Sequence, residues 1–425
     1  MLEIQRLRNE KDLVIQGLKS RNIGNASAAV EGILELDDRR KEAITRLEAL
    51  QRDMNQVSKS IGQLMKNGKK EEAEQAKSQT QEIRGQIKSY EKDVQDTEQS
   101  LHEELIKLPN IPHNSVPVGM SERDNVVAKE SDHTVTFDFK PLPHWDLATK
   151  HNLISWELGV KLTGSGFPVY IGKGAQLQRA LISYFLTEAT RAGYVEIQPP
   201  LVVNEASGYA TGQLPDKEGQ MYYIGKDDLY LIPTAEVPIT NLYRNQILAE
   251  ADLPIKHCGY TPCFRREAGS YGKDVKGLNR LHQFDKVEIV QVTHPARSYD
   301  TLEAMTQHVA GLLEALALPY RQLILCTGDA TFTSAKTYDM EVFSAGQERW
   351  LEVSSISNFE TFQANRLKLR YRDEKKKRHI CHTLNGSALA LPRILAALLE
   401  NNQQADGSIL IPEVLQPYTG FKSIA

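Results

Sequence analysis

Residues 261–284, TPCFRREAGSYGKDVKGLNRLHQF, combine features that a plain surface hairpin does not need. A short apolar run leads to two arginines and a glutamate at 265–267, and a dozen residues rich in glycine and lysine follow. The chain then returns through Arg280 and His282 to Phe284. A β-hairpin with a long, solvated, basic loop would have a similar composition, so the rest of the chain must distinguish the two interpretations.

Alternation along two strands would place the polar groups of this stretch on one surface. Side chains two residues apart share a face, so Arg265 and Glu267 form one pair, and Phe284, Lys286 and Glu288 follow each other on the returning strand. Phe284 and Glu288 would lie about 13 Å apart, at about 3.3 Å per residue. An aromatic ring, an arginine and a carboxylate in this order match a nucleotide base, its phosphates and a cationic ligand.

Short strand-like segments alternate with helical stretches from about residue 134 onward. The segments YVEIQ, LYLIP, CFRRE, HQFDKVEIV and WLEVSSIS are joined by hairpin-length or irregular links, which favours an antiparallel sheet with helices packed on it. The predicted fold class is therefore α+β. Neither GxGxxG nor GxxxxGK[ST] occurs in the sequence, so a Rossmann or P-loop nucleotide site is not supported.

Composition limits the class of protein. The 425 residues are 40% hydrophobic and 25% charged, which is enough for a large core and two domains. The N-terminus does not resemble a signal peptide and no apolar run is long enough for a membrane span, which predicts a cytoplasmic protein. The four cysteines form no CxxC pair and are expected to be buried, reduced thiols. The net charge of −4 gives no global attraction to nucleic acid, so such binding would need a local patch.

Two heptad stripes predict a long antiparallel coiled coil over about residues 27–105. Steps of three and four residues connect Ile33, Leu36, Arg40, Ala43, Leu47, Leu50, Met54, Val57, Ile61 and Leu64, and then Ala73, Ala76, Thr80, Ile83, Ile87, Tyr90, Val94, Thr97 and Leu101. Asn67 and Gly68 form the turn between them. About 40 residues at 1.5 Å each give an arm on the order of 60 Å long.

Lysines concentrate at the predicted tip of this arm. Lys59, Lys66, Lys69 and Lys70 occur there with no acidic residue between them, and Lys77 follows. Such a cluster either keeps a turn soluble or binds a phosphate backbone, and the arm alone does not separate these alternatives.

Six ordered motifs resemble class II aminoacyl-tRNA synthetases in their seryl-tRNA synthetase form. FRREAGSYGKDVKGLNRLHQFDKVEIV is similar to the second signature of that class, NGSALALPRILAALLEN (385–401) to the third and GYVEIQPP (193–200) to the first. TGQLP (211–215), PTAE (233–236) and EVSSISNFETFQANR (352–366) resemble further segments of this family, and LPNIPHNSVPVG resembles its link between arm and body. Arg266 stands where a small residue is common in the family.

The resemblance implies roles for individual residues. Arg265 would bridge the α-phosphate and the amino-acid carboxylate, and Arg393 would contact the γ-phosphate, as the two catalytic residues. Phe284 would stack on adenine. The implied ATP-binding set is Arg265, Arg266, Glu267, Arg280, Leu281, Phe284, Glu352, Val353, Ser354, Ser355 and Arg393. Within this set, Glu352 and Ser355 would hold Mg²⁺, which prefers hard oxygen ligands.

A small polar pocket would select serine in a member of this family. Its implied residues are Thr234, Ala235, Glu236, Arg265, Glu288, Asn385 and Ser387. Glu288, Thr234 and Glu236 would receive the substrate ammonium, and Ser387 would face the hydroxyl. Alanine would be rejected because it leaves the buried polar groups unpaired.

The resemblance also implies a domain plan and partners. We expect a tRNA-binding domain with the arm at residues 1–108, a linker at 109–133 and a catalytic domain at 134–425. The expected reaction uses ATP to activate L-serine and transfers it to the terminal adenosine of tRNA(Ser), and of tRNA(Sec) where the host has it. A homodimer would form around the first signature, with no membrane contact, and the lysine-tipped arm would act across it.

Three alternatives have different sequence requirements. A relative that aminoacylates a carrier protein should lack the long arm, and a scaffold or RNA-binding coiled coil has no need for Arg265, Glu288 and Arg393. A class II enzyme for threonine or proline should bring an extra C-terminal domain or a zinc pattern.

Overall fold

The computed structural model describes residues 1–216, 218–267 and 276–425, and the chain divides into two compact units, Met1–Pro109 and Asn110–Ala425. The first unit contains the helices α1 (Ile4–Asn9), α2 (Lys11–Ser20), α3 (Ala26–Lys66) and α4 (Lys70–Leu105).

The helices of the second unit are α5 (His144–Lys150), α6 (Trp156–Leu162), α7 (Lys173–Arg191), α8 (Glu205–Thr211), α9 (Glu236–Asn241), α10 (Ser298–Ala315), α11 (Thr361–Arg366), α12 (Leu391–Asn401) and α13 (Gln416–Thr419). Its strands are β1 (Val126–Glu130), β2 (Ile154–Ser155), β3 (Val169–Tyr170), β4 (Val195–Glu196), β5 (Val202–Val203), β6 (Tyr223–Ile224), β7 (Leu229–Leu231), β8 (Ile247–Ala249), β9 (Ile255–Phe264), β10 (Gln283–Thr293), β11 (Tyr320–Ile324), β12 (Lys336–Ser344), β13 (Arg349–Asn358), β14 (Arg370–Arg372), β15 (Arg378–Ile380), β16 (His382–Ala390), β17 (Ile409–Leu410) and β18 (Ser423–Ile424).

The two long helices α3 and α4 form the predicted coiled-coil arm. They pack against each other along their length and are connected by a turn at residues 67–69, where Gly68 has a φ of 73°. All positions of both predicted heptad stripes are buried or half-buried, and the positions between them are mostly exposed. The spacing of the apolar residues therefore sets which positions of α3 and α4 are buried, because each apolar stripe must face the partner helix.

A buried carboxylate explains why Arg40 interrupts the first stripe. Asp37 is fully buried and accepts hydrogen bonds from Arg8 of α1 at 2.6 Å and from Arg40 at 2.7 Å, while Lys41 lies 2.9 Å away. Burial alone would raise the pKa of Asp37, but the hydrogen bonds from its three basic partners outweigh burial and lower it. Arg40 also lies 3.9 Å from Glu98 of α4, so the base of the arm is held by charge as well as by apolar packing.

An eight-stranded sheet forms the centre of the second unit. Its order is β1-β11-β12-β13-β16-β10-β9-β4, and every neighbouring pair is antiparallel except β4 and β9. The helices α7, α10 and α12 cover it with a shared apolar core that includes Phe185, Leu302 and Leu395. This architecture confirms the predicted α+β class with a mainly antiparallel sheet.

Two of the predicted strands are shorter in the structure. YVEIQ contributes only Val195 and Glu196 to β4, and CFRRE leaves the sheet after Phe264. The prediction that Arg265 and Glu267 share a strand face is therefore wrong. Arg265 still donates its backbone N–H to the His282 carbonyl at 2.9 Å, but Glu267 has a φ of 50°, which turns the chain away from an extended path.

The second unit also contains an edge strand near its start and the four cysteines of the chain. Strand β1 lies within residues 109–133, where a linker was expected, and it pairs with β11 at the sheet edge. All four cysteines are buried free thiols, as predicted. Within the described part of the chain, no helix is long and apolar enough to cross a membrane.

Candidate active site

Strands β9, β10 and β16 bring the second and third signature segments side by side. Phe284 of β10 pairs with Cys263 of β9, and Glu288 pairs with Gly259. On its other edge, β10 pairs with β16, so that Glu288 lies opposite Ser387 and Val290 lies opposite Asn385. A bulge between Lys286 and Glu288 shifts the register of this second ladder. The sheet thus supplies one polar surface from residues that are about 100 positions apart.

Thr234, Glu236 and Glu288 lie together in a buried polar cluster. The Thr234 hydroxyl accepts the backbone N–H of Glu236 at 3.2 Å, and the Glu288 charge lies close enough to act on Glu236. Lys286 joins them: its Nζ donates to Thr234 Oγ1 at 2.8 Å and forms a close ion pair with Glu288 Oε2. The sequence prediction of a shared pocket for these residues is consistent with this geometry.

Amide side chains hold the Glu236 carboxylate from the opposite side. Gln363 of α11 donates Nε2 to Glu236 Oε1 at 2.7 Å, and its own Oε1 accepts from Thr383 at 2.8 Å. Asn385 also forms a hydrogen bond with Glu236. Burial, and then the Glu288 charge, raise the pKa of Glu236 to about 7, although Gln363, Lys286 and Asn385 each lower it. The carboxylate is therefore close to half-ionised at neutral pH.

Arg265 and Phe284 form a second group. The Arg265 guanidinium lies over the Phe284 ring at 5.1 Å from its centroid, which is a cation–π arrangement. The neighbouring His282 ring points elsewhere: its Nδ1 lies 3.1 Å from the Arg265 carbonyl oxygen and 3.2 Å from the Tyr222 hydroxyl, and the ring stacks on Phe167 at 5.3 Å. These contacts indicate that His282 stabilises the hairpin.

The other predicted ATP-binding residues of the hairpin make contacts of their own. Arg280 donates to Glu267 Oε2 at 2.8 Å, and Leu281 is buried. Arg266 is exposed and donates its backbone N–H to the Gln220 carbonyl at 2.9 Å. The residues between 267 and 276 lie outside the described part of the chain.

Arg393 connects the third signature to the strand that carries Glu352. From the first turn of α12, its Nη1 donates to the Glu352 carbonyl oxygen at 2.6 Å and lies 3.6 Å from the Glu352 carboxylate. Its Nε donates to the Asn279 carbonyl oxygen at 3.2 Å. The guanidinium is half-exposed, so it is oriented by protein oxygens and still accessible to an anion.

Oxygen atoms cluster on β12 and β13 beside Glu352. Ser355 pairs with Asp339 in the ladder and its hydroxyl donates to the Asp339 carboxylate. Burial, and then the Glu352 charge, raise the Asp339 pKa well above its ordinary value. Within the described residues, Asp339 Oδ1 is buried without a hydrogen-bond partner, and no three His, Cys, Asp or Glu side chains form a ready metal site. Val353 and Ser354 are buried, and the Ser354 hydroxyl donates to the Ser387 carbonyl oxygen at 2.6 Å.

A buried histidine fixes the returning end of the hairpin. His144 Nε2 accepts the Leu278 backbone N–H at 2.8 Å, and its Nδ1 lies 2.7 Å from Glu400 of α12. Gln347 donates to the same carboxylate at 3.0 Å and accepts from Asn279 at 2.9 Å. Because Leu278 donates to Nε2, the imidazole proton must lie on Nδ1. This network holds the Asn279 carbonyl that orients Arg393.

The predicted RNA-binding lysines lie in the first unit, at the tip of the arm. Lys59, Lys66, Lys69 and Lys70 are all exposed. Lys69 forms an ion pair with Glu72 at 2.8 Å, and Lys77 pairs with Glu74 at 2.5 Å. Exposed pairs of this kind contribute little stability, so these ammonium groups can exchange a carboxylate for a phosphate at low cost.

Sequence reasoning missed three residues that the structure brings to the site. The alternation places Lys286 on the correct face without a role, and no sequence pattern singles out Gln363 or Asp339. A signal existed for Lys286, because it lies between Phe284 and Glu288 in the same period-2 pattern. For Gln363 and Asp339, only the tertiary fold reveals the contacts with Glu236 and Ser355.

Two family models match the chain. The model described as the seryl-tRNA synthetase N-terminal domain matches residues 1–112, and the model described as the tRNA synthetase class II core domain (G, H, P, S and T) matches residues 223–402. Together they cover the arm and most of the sheet.

Individual proteins are similar over the full length. The chain is 54% identical over 425 residues to the serine–tRNA ligase of Salinibacter ruber, which covers 100% of this chain and 99% of that protein. The crystal structure of seryl-tRNA synthetase from Pyrococcus horikoshii complexed with ATP has a TM-score of 0.94 at 34% identity, and covers 100% of this chain and 99% of that one. The cytoplasmic serine–tRNA ligase of Naegleria fowleri in complex with AMP has a TM-score of 0.89 at 27% identity, and covers 100% and 98% of the two chains.

Proposed function

Because the chain belongs to the seryl-tRNA synthetase family, whose reaction is the ATP-dependent charging of tRNA with serine, we propose how its residues divide the work. The protein uses ATP, L-serine and tRNA as substrates. The observation that carries the proposal is the buried cluster of Thr234, Glu236, Lys286 and Glu288, with Asn385 and the adjacent Ser387. It offers two carboxylates, hydroxyls and an amide, which are groups that can pair with a small polar amino acid.

In the serine pocket, Glu288, Thr234 and Glu236 bind the substrate ammonium, and Ala235 lies between the latter two in the chain. Ser387 and Asn385 face the serine hydroxyl. Alanine would leave these buried polar groups unpaired, which costs about 1–3 kcal/mol for each group. Threonine must be excluded by the size of the pocket.

In the activation step, a serine carboxylate oxygen attacks the α-phosphorus of ATP. A P–O bond to serine forms while the bond to the β-phosphate oxygen breaks, so that pyrophosphate leaves. The serine carboxylate is already ionised at pH 7, so no side-chain base is needed. Arg265 neutralises charge on the α-phosphate and Arg393 on the γ-phosphate, as in-line placement requires. Phe284 stacks on adenine, and the remaining residues of the predicted ATP set contact the nucleotide around it.

Glu352 and Ser355 would hold the Mg²⁺ that accompanies ATP in this family. The donors fit the ion, since Mg²⁺ takes hard oxygen ligands, and the buried Asp339 Oδ1 has no hydrogen-bond partner among the described residues. When bound, the ion supplies positive charge to the phosphate oxygens. Arg393 lies 3.6 Å from the Glu352 carboxylate, so the guanidinium and this proposed metal ligand lie side by side.

In the transfer step, a hydroxyl of the terminal ribose of tRNA attacks the carbonyl carbon of seryl-adenylate. An ester bond forms, AMP leaves with the bonding electron pair, and the proton of the attacking hydroxyl leaves with the departing phosphate. His282 is not assigned as a base for this step, because both the Arg265 carbonyl and the Tyr222 hydroxyl lie at its Nδ1. The substrate RNA is tRNA(Ser), and also tRNA(Sec) where the host makes it.

The arm and a homodimer complete the proposal. Residues 1–108 bind tRNA through the exposed lysines of the tip, with contacts to backbone and shape because an A-form stem hides its deep groove. The first signature forms a two-fold interface, which is supported by the exposure of Val195 in the edge strand β4 and of Leu201 shortly after it. The arm of one protomer then serves the active site of its partner.

Exchange and charging assays test these assignments separately. Pyrophosphate–ATP exchange against all twenty amino acids should depend on serine alone, and a different preferred amino acid would refute the pocket. Deletion of residues 40–100 with a short turn should leave exchange within about twofold of the intact protein but reduce tRNA charging by orders of magnitude. A dimer of one arm-deleted subunit and one Arg265→Ala subunit should still charge tRNA. If this mixed dimer is inactive, the arm does not act across the dimer.

A further inference from the structure

A buried lysine lies inside the pocket without an assigned role. Lys286 is 6% exposed, and its ammonium has two partners: Glu288 Oε2, with which it forms an ion pair, and Thr234 Oγ1 at 2.8 Å. Both partners are groups proposed to receive the ammonium of serine. The pocket therefore contains a cation of its own next to the place where a second cation must bind.

The Lys286 ammonium partly neutralises the two buried carboxylates of the pocket. Glu236 and Glu288 are both buried, and two neighbouring carboxylates that lack a counterion disfavour the ionised state of each other. Lys286 lowers the pKa of Glu236, which burial and the Glu288 charge raise. With both carboxylates ionised, the cluster has two negative charges and one positive charge. One further ammonium makes it neutral, whereas a ligand with two ammonium groups leaves an excess positive charge in a buried site.

Lys286 also holds the side chains of Glu288 and Thr234 in place. The ion pair holds one oxygen of Glu288, and the Thr234 hydroxyl accepts hydrogen bonds from both Lys286 and the Glu236 backbone N–H, so that both side chains are held before a ligand binds. A buried side chain held in this way needs little reorganisation when the ligand arrives.

We propose that Lys286 is a positioning residue that sets the substrate specificity of the pocket: it orients Glu288 and Thr234, and it limits the pocket to ligands with one ammonium and an uncharged side chain. This inference rests on the proposed serine pocket. The excluded class is that of diamino acids of the same size, for which 2,3-diaminopropionate is the matched probe because an amine replaces the serine hydroxyl.

Three variants measure the effect. Lys286→Gln keeps N–H donors for both partners but removes the charge, and Lys286→Met removes both. Lys336→Gln is the control, because Lys336 is a similarly buried lysine of the second unit that contacts Glu303 and the Tyr338 ring outside the pocket. We expect the KM for serine in pyrophosphate exchange to rise about 10-fold in Lys286→Gln and about 100-fold in Lys286→Met. The KM for ATP should stay within about twofold in all three variants, and the control should keep its KM for serine.

Two readouts separate this role from a purely structural one. Without the lysine charge, the pKa of Glu236 should rise, since the groups around it are then Glu288 and the uncharged Gln363 and Asn385. The acid limb of kcat/KM for serine should move to higher pH in Lys286→Gln. In addition, the ratio of the inhibition constant for 2,3-diaminopropionate to the KM for serine should fall at least tenfold relative to the wild-type protein.

Several outcomes would overturn the inference. One is an unchanged KM for serine in Lys286→Gln, and another is an equal rise for serine and ATP. A third needs no variant: if 2,3-diaminopropionate inhibits the wild-type protein as tightly as serine binds, the pocket does not exclude a second ammonium. Absence of serine-dependent exchange in the wild-type protein would instead refute the proposed function. If Glu288→Gln weakens serine binding and Lys286→Gln does not, only the role of Lys286 fails.

Discussion

Replacement of Glu236 by glutamine should stabilise the ligand-free protein while it weakens serine binding. Burial and the neighbouring Glu288 raise the pKa of Glu236 from 4.5 to about 7. The folded state therefore retains a proton that the unfolded chain releases, so stability falls as pH rises from the unfolded to the folded pKa. A shift of this size corresponds to about 3 kcal/mol, which is fully lost above pH 7. Glutamine cannot ionise, and its carbonyl oxygen can still accept from Gln363.

The assay is thermal unfolding of both proteins at pH 5 and pH 8. The melting temperature of Glu236→Gln should exceed that of the wild-type protein by roughly 5 °C at pH 8, and the difference should fall to about 1 °C at pH 5. Glu374→Gln, at an exposed position of the β14–β15 hairpin, is the control and should change neither value. A destabilised Glu236→Gln at pH 8, or a difference that does not depend on pH, would refute the reasoning.

Serine affinity should change with pH in the opposite direction to stability. The ionised fraction of Glu236 rises from about one tenth at pH 6 to about nine tenths at pH 8. Serine affinity of the wild-type protein, measured by calorimetry without ATP, should therefore increase up to about tenfold over this range. In Glu236→Gln the affinity should be lower and the pH dependence should be lost. A variant that keeps the wild-type pH dependence would show that another group receives the ammonium.

Three further predictions concern the other parts of the site. Arg265→Ala should abolish adenylate formation, because it removes charge cancellation at the α-phosphate, an effect of several kcal/mol in comparable sites; near-normal serine-dependent exchange would contradict this role. Glu288→Gln should raise the KM for serine far more than the KM for ATP, and equal losses for both ligands would mean that Glu288 is wrongly assigned. Charge reversal at Lys66, Lys69 and Lys70 should weaken tRNA binding and flatten its salt dependence without a change in exchange, which a filter-binding series in increasing salt can measure. An unchanged salt slope would show that phosphate contacts lie elsewhere.

The heptad pattern of the sequence was sufficient to predict the coiled-coil arm. Every predicted seam position is at least half-buried, because a seven-residue apolar repeat has only one way to meet a partner helix. The interruption at Arg40 was visible in the sequence, but its cause was not. Asp37 precedes Arg40 by one helical turn, and only the docking of α1 brings Arg8 to the same carboxylate.

Local patterns were less informative in the active site. Alternation correctly placed Phe284, Lys286 and Glu288 on one face, but it extended β9 past Phe264, since nothing in the residue types announces the positive φ of Glu267. The role proposed for Lys286 depends on its hydrogen bond with Thr234, which lies 52 positions earlier in the chain. Thr234 lies between β7 and α9, so this contact depends on how that segment packs against β10, which no local pattern encodes.

The construction of the arm makes it a molecular ruler. Its base is specified by the charged contacts of Asp37, and its tip by a three-residue turn, whereas the seam between them repeats without a unique marker. Removal of seven residues from each helix would turn the helix by only about 20° from its original phase, so the seam would still close. The tip would move toward the base by about 10 Å for each heptad removed. The reach of Lys66, Lys69 and Lys70 can therefore be adjusted in discrete increments, so an arm that binds RNA as proposed could be matched to stems of different length without redesigning either end.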